Sequence, residues 1–153
     1  MKLLNLILFS LFLTVVTSTV VAQTIFDKNF TGVQKEQYVD GKPKYEVNVV
    51  KGQRQGLETF WYASGAIYIQ TNYVDDKEDG VWKQWYENGQ LKLEANYKDG
   101  REHGSFTQWF ENGQARVQSH FVEGKKEGVE TAWNKDGSVK YQSTYKDGQE
   151  LKQ

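Results

Sequence analysis

Four residue series return along this chain at a constant interval of 24, and that period narrows what it can fold into. Gly32, Gly56, Gly80, Gly104 and Gly128 form the first series. Gly41, Gly65, Gly89, Gly113 and Gly137 form the second. Trp61, Trp85, Trp109 and Trp133 form the third, and Tyr73, Tyr97, Phe121 and Tyr145 the fourth. Self-similarity at one phase marks a stack of supersecondary units, each too small to bury its own apolar face. Five units follow: 32–55, 56–79, 80–103, 104–127 and 128–151. The first is degenerate, with Gln37 at the Trp position and Val49 at the ring position. Val33, Tyr38, Tyr45 and Val47 keep its alternation. Residues 23–31 are a lead-in without repeat signal.

Each unit reads as a β-hairpin. In the third, GVWKQWY (80–86) leads through Glu87-Asn88-Gly89 into QLKLEANY (90–97), and KDGREH (98–103) leads to the next unit. Leu91, Leu93, Ala95 and Tyr97 alternate with Lys92, Glu94 and Asn96, the pattern of a half-buried strand. Asn-Gly and Asp-Gly supply the positive φ of tight turns. Frequent Gly and the period of two disfavour helix. The expected fold is an all-β, elongated, twisted antiparallel meander of tandem hairpins. The Gly that opens each unit would permit the bend between hairpins.

Register decides which rings share a face. A two-residue turn sets Tyr86 opposite Leu91. A three-residue type I turn with a Gly bulge sets Trp85 opposite Leu91. The apolar count does not separate the two. We favour the bulge, because the competing inward positions decay to Glu130, Ala132 and Asn134 in the last unit. This register predicts that Trp61, Trp85, Trp109 and Trp133 pack on one face beside Tyr73, Tyr97, Phe121 and Tyr145 as structural ladders. The opposite face then carries Phe60, Tyr62, Trp82, Tyr86, Phe106 and Phe110 among Gln84, Gln108, Lys92, Arg116 and Gln118. Rings amid amides and cations suit a binding surface. A single-layer sheet also needs a cover for its apolar face. Strong curl, self-association or a partner would provide one. Its terminal strands leave edges that charged turns and the lead-in would blunt.

The first 22 residues differ from the rest. Fifteen of them are hydrophobic, Lys2 supplies a positive charge, and Val20-Val21-Ala22 ends in a small residue. These are the parts of a secretory signal, with cleavage expected between Ala22 and Gln23. An uncleaved anchor through residues 3–22 is the alternative. Either way the protein is expected outside the cytoplasm, periplasmic or extracellular.

Composition removes most chemistries. The chain has 19 Lys+Arg against 20 Asp+Glu, so nothing draws it to nucleic acid. It has no Cys, hence no disulfide, thiolate metal site or Cys nucleophile. His103 stands in a turn and His120 on a strand, and neither recurs at its position. The acidic run 75–79 and Lys125-Lys126-Glu127 read as mostly solvated turns without calcium-loop spacing. The serines have no partnered His at recognisable spacing. No catalytic, cofactor-binding or metal-binding residue is assigned, and no enzyme is expected.

The segments YKDGREHG (97–104), FVEGKKEG (121–128) and WYENGQLK (85–92) resemble the MORN-repeat-variant family, whose units carry such aromatic–x–Asp/Asn–Gly and Trp-Tyr-x-Asn-Gly blocks. The resemblance covers about residues 32–151. Asp76 replaces the Gly of the first block, Ser64 the Asn before Gly65, and unit one lacks its Trp. The resemblance implies hairpins stacked along one axis and a bacterial type of protein, without catalytic residues. It extends to antitoxins of toxin–antitoxin pairs, to phospholipid binding and to protein scaffolding. Together with the export signal, it points to a non-enzymatic scaffold for a protein or envelope surface. A toxin neutraliser and a phospholipid-binding module are the alternatives, the latter opposed by a net charge near −2 after cleavage.

N-terminal sequencing of protein recovered from its native host is expected to begin at Gln23. A chain still beginning at Met1 or Lys2 contradicts cleavage.

Overall fold

The computed structural model describes residues 27–152. The signal segment 1–22 and the start of the lead-in therefore lie outside the described residues. The strands are β1 (Gly32–Gln37), β2 (Pro43–Val50), β3 (Gln53–Trp61), β4 (Ile67–Val74), β5 (Lys77–Glu78), β6 (Gly80–Trp85) and β7 (Leu91–Lys98). They continue as β8 (Arg101–Trp109), β9 (Ala115–Val122), β10 (Lys125–Lys126), β11 (Gly128–Trp133), β12 (Val139–Lys146) and β13 (Gln149–Glu150). All join one antiparallel sheet in chain order, with β5 paired to β4 and β10 to β9.

Two turn types alternate along the meander. At each hairpin tip the Gly amide donates back three residues, as Gly89 does to Tyr86 O at 2.9 Å, and Tyr86 N–H donates to Gln90 O at 2.8 Å. The Gly, at φ 84° here, takes the left-handed conformation that ends a type I turn in a bulge. Between units the turn has two residues, both at positive φ, such as Asp99 at 50° and Gly100 at 78°. That is the type I′ geometry whose twist matches the strands.

The expected tip is present, yet the faces differ from expectation. Trp85 does face Leu91. One residue further the register shifts, so that Gln84 faces Leu93, Trp82 faces Ala95 and Gly80 faces Tyr97. Lys92 is the extra residue. The same shift recurs at Phe60/Trp61, Gln108/Trp109 and Ala132/Trp133. A bulge exchanges the faces beyond it. Trp61, Trp85, Trp109 and Trp133 therefore alternate to one side, while Phe60, Trp82 and Phe106 join Tyr73, Tyr97 and Phe121 on the other. The ring contact of Phe106 with Phe121, centroids 5.7 Å apart, belongs to this second arrangement. The two ring ladders are on opposite faces, which corrects the sequence reading.

The face bearing Tyr73 is the covered one. Tyr73 is 2 % exposed, Ala95 1 %, and Val47 and Val49 0 %. A buried side chain of this kind contributes about 1.5–3 kcal/mol. Phe30 of the lead-in and Phe60 pack on the cluster of Tyr45, Val47 and Val49. The lead-in ring thus covers the first hairpin, and Arg54 lies over the Tyr73 ring. On the outer face the column Val33, Leu57, Val81 and Val129 is exposed.

Units are tied at both margins. Along one, the turn amides of Gly52, Asp76, Gly100, Gly124 and Gly148 donate to the carbonyls of Phe30, Arg54, Glu78, Glu102 and Lys126, 22 residues back, at 2.8–3.2 Å. Phe30 thus stands where a preceding unit would supply its residue. Along the other, the Tyr38, Tyr62 and Tyr86 hydroxyls donate to the carbonyls of Trp61, Trp85 and Trp109 in the next unit, at 2.7, 2.8 and 2.9 Å. Between these margins the inter-unit pairing is interrupted around the opening glycines, as between Ala95 and Tyr97 opposite Gly104. At Gly104, with φ 108°, a Cβ would stand 3.3 Å from Asn96 Cβ. The conformation calls for glycine there, and a side chain would also press on Asn96.

The clasp stops at Phe110, which has the ring without the hydroxyl. Tyr86→Phe should cost about 1 kcal/mol, a fall of about 4 °C in Tm for a domain of this size. Phe110→Tyr should extend the clasp to Trp133 and raise Tm. Thermal unfolding that shows no change in either variant contradicts a load on these bonds.

Candidate functional site

On the inner face, one repeat column reads Glu58, Trp82, Phe106 and Glu130. Four residues earlier, its neighbour reads Arg54, Glu78, Glu102 and Lys126. A cation and an inward Glu thus sit four apart in the 54–75 and 126–147 hairpins, with two rings in the hairpins between.

Both charge clusters are built rather than solvated. Glu58, 3 % exposed, accepts a hydrogen bond from Tyr45 Oη at 2.9 Å and lies 3.7 Å from the Arg54 guanidinium. Arg54 covers the Tyr73 ring at 3.8 Å and donates through Nε to Asp76 Oδ1 at 2.9 Å. Its backbone N–H donates to the same oxygen. Asp76, in place of a turn Gly, holds φ 66° and anchors the arginine. In the last unit Glu130, 4 % exposed, accepts from Ser119 at 2.6 Å, from Tyr141 at 3.0 Å and from Lys126. Lys126 Nζ stands 4.9 Å from the Tyr145 ring.

The two carboxyls titrate in opposite directions. Burial raises Glu58 above the usual range, and its bonds to Tyr45 and Arg54 do not offset this. Burial also opposes Glu130, but hydrogen bonds from Lys126, Ser119 and Tyr141 outweigh it and hold Glu130 low. Burial, then the Glu102 and Glu78 charges, pushes Tyr97 up to about 12.

Along the hairpin tips the inner face carries a second pattern. Tyr62 meets Tyr68 with centroids 4.7 Å apart. At the same repeat position Lys92 Nζ stands 5.5 Å from the Tyr86 ring centroid and Arg116 Cζ 5.7 Å from that of Phe110. An open depression follows, lined by Phe110, Arg116, Lys135, Lys140 and Tyr141 among others. Lys92, Arg116, Lys135 and Lys140 form no ion pair among the described residues.

Of the six rings proposed for binding, Phe60, Tyr62, Trp82, Tyr86 and Phe110 are half-buried on this face, while Phe106 is buried at 8 %. Tyr62 and Tyr86 also serve the inter-unit clasp. Arg54, Glu58, Lys126 and Glu130 escaped the sequence reading, although the paired columns carried a signal. His103 Nδ1 lies 3.4 Å from Glu123, and His120 is exposed. Among the described residues no group of three or more His, Asp or Glu could hold a metal.

Among known protein families, the MORN repeat variant matches this chain at residues 54–75, 78–99, 102–123 and 126–147. No curated protein matches it.

These carboxyls predict opposite pH dependences. Glu130, with its folded pKa lowered, gives stability that is present above its ordinary value of 4.5 and lost as pH falls. Glu58, with its folded pKa raised, gives stability that is present in acid and lost as pH rises above 4.5 through its folded pKa. Glu130→Gln should lower Tm at neutral pH, at a cost of about 1–3 kcal/mol, and weaken the acid-side fall. Glu58→Gln should retain or raise Tm at neutral pH. Melting curves from about pH 3 to about pH 8 check both; identical profiles for the two variants refute the assignment.

Proposed function

The chain belongs to the MORN repeat variant family, and from that premise we propose that it is an exported, non-enzymatic scaffold that holds a protein partner of the cell envelope on its inner face. Repeats of this family indicate a repeat scaffold, often one that binds protein or lipid. The observation that carries the proposal is the half-buried set Trp82, Tyr86 and Phe110, the last two each beside a cation without an ion pair. Rings of this size recur as binding hot spots because they remove much apolar area from water at small entropic cost. A cation beside a ring retains its charge for a partner carboxylate. Export is supported by residues 1–22, with one charge ahead of an apolar run and a small residue at the expected cleavage point.

Trp82→Ala combined with Phe110→Ala should abolish capture of a partner from native envelope extract and leave the far-ultraviolet β signal unchanged. Undiminished capture by the folded double variant overturns the proposal. Phe106 is unsuitable for this test, since its burial against Phe121 makes Phe106→Ala a change of core, at roughly 3–5 kcal/mol.

A further inference from the structure

We infer that the inner rim takes an acidic peptide in the polyproline II conformation, laid across the hairpins with one carboxylate to each unit. The inference rests on the reading of the chain as a protein-binding scaffold and names the chemistry of its partner.

Spacing is the first argument. Lys92, Arg116 and Lys140 hold one repeat position in three consecutive hairpins. Successive hairpins lie two strands apart, about 10 Å. A polyproline II helix turns once every three residues and rises about 9 Å in doing so. A carboxylate at every third residue therefore returns on one side at nearly the interval of the cations. An extended β-strand returns its side chains to one side at about 7 Å and falls out of step within two units.

The floor is the second argument. Tyr86 and Phe110 are half-buried, each beside its own cation at 5.5 and 5.7 Å from the ring centroid. Proline-rich helices dock on aromatic floors of this kind, and their preformed backbone loses little freedom on binding.

Charge is the third argument, and it gives the site a direction. The tips of the hairpins bearing Lys92 and Arg116 carry Glu87 and Glu111, whereas the last tip carries Lys135. Asn88 Nδ2 donates to Glu111 at 3.5 Å. Positive charge without a counter-ion thus accumulates at the depression between Phe110, Arg116, Lys135, Lys140 and Tyr141. The more acidic end of the peptide belongs there.

The test is fluorescence anisotropy on the full chain. The probe is a labelled peptide of four Glu-Pro-Pro triplets, compared with four Gln-Pro-Pro triplets and with a Glu-Pro peptide of the same charge. Glu-Pro-Pro should bind at least about tenfold more tightly than either control. Arg116→Gln with Lys140→Gln, both exposed positions, should lose about tenfold while the circular-dichroism spectrum is kept. Equal affinity for the Glu-Pro peptide overturns the spacing argument, and no loss in the double variant overturns the site. Stronger displacement of the peptide by polygalacturonate than by unlabelled Glu-Pro-Pro assigns the rim to acidic polysaccharide and also overturns the inference. Envelope capture that depends on Trp82 and Phe110, without binding of Glu-Pro-Pro, sinks this inference alone and leaves the scaffold standing.

Discussion

One extra residue beside each hairpin tip determines what this protein buries. Tyr68, Lys92, Arg116 and Lys140 each sit in a bulge between a Trp-facing pair and the body of the hairpin. Side chains alternate strictly along a strand, so one added residue reverses every assignment beyond it. Without the bulge the four recurrent tryptophans would stand with Tyr73, Tyr97 and Phe121. With it, they pair with Ile67, Leu91, Ala115 and Val139 on the outer face. The inner face receives Phe60, Trp82 and Phe106 instead. The burial of Tyr73 and Ala95, the exposed outer valines and the ring-and-cation rim all follow from that exchange.

A thin sheet gains little from any single hairpin, since a two-stranded unit alone is marginal in water. Its stability is roughly a sum over neighbouring units. Here the neighbours are joined by turn amides along one margin and by tyrosine hydroxyls along the other, with buried rings between. The inner face is charged within the 54–75 and 126–147 hairpins and aromatic in the two between them. Arg54 with Glu58 and Lys126 with Glu130 satisfy one another through partners supplied by Tyr45, Asp76, Ser119 and Tyr141. Such pairs contribute modest net stability; losing the Glu130 carboxylate is costly because Ser119, Tyr141 and Lys126 all donate to it, whereas Arg54 keeps Asp76 when the charge of Glu58 is removed. They differ in protonation preference because Glu130 accepts three hydrogen bonds while Glu58 is held mainly by one phenol and a longer ion pair.

The repeat, the hairpins and both turn types were legible in the sequence, because Asn-Gly and Asp-Gly announce positive φ and four series keep one phase. The distribution of faces was not. The bulge residues are Tyr, Lys, Arg and Lys, types that any exposed strand position accepts. Glu130 was the misleading residue. As an acid it argued that its column faces water, yet it is buried because Lys126, Ser119 and Tyr141 meet it there. Aligned in columns, a cation four residues before Glu in the 54–75 and 126–147 hairpins, and acids before the rings between them, would have identified a pair. Asp76 misled in the same way. It reads as a weakened turn, and in the structure it holds Arg54. Of the six binding candidates, Phe106 could not be told from its neighbours until the register placed it against Ser119 and Phe121.

Cross-strand backbone nuclear Overhauser effects within the 80–97 hairpin bear on the bulge without passing through stability or binding. Contacts of Trp82 with Ala95 and of Gln84 with Leu93, alongside Trp85 with Leu91, are expected. Contacts of Trp82 with Glu94 and of Gln84 with Lys92 would mean that the hairpin runs without its extra residue, and that the rings assigned to the inside of the sheet are on its outside.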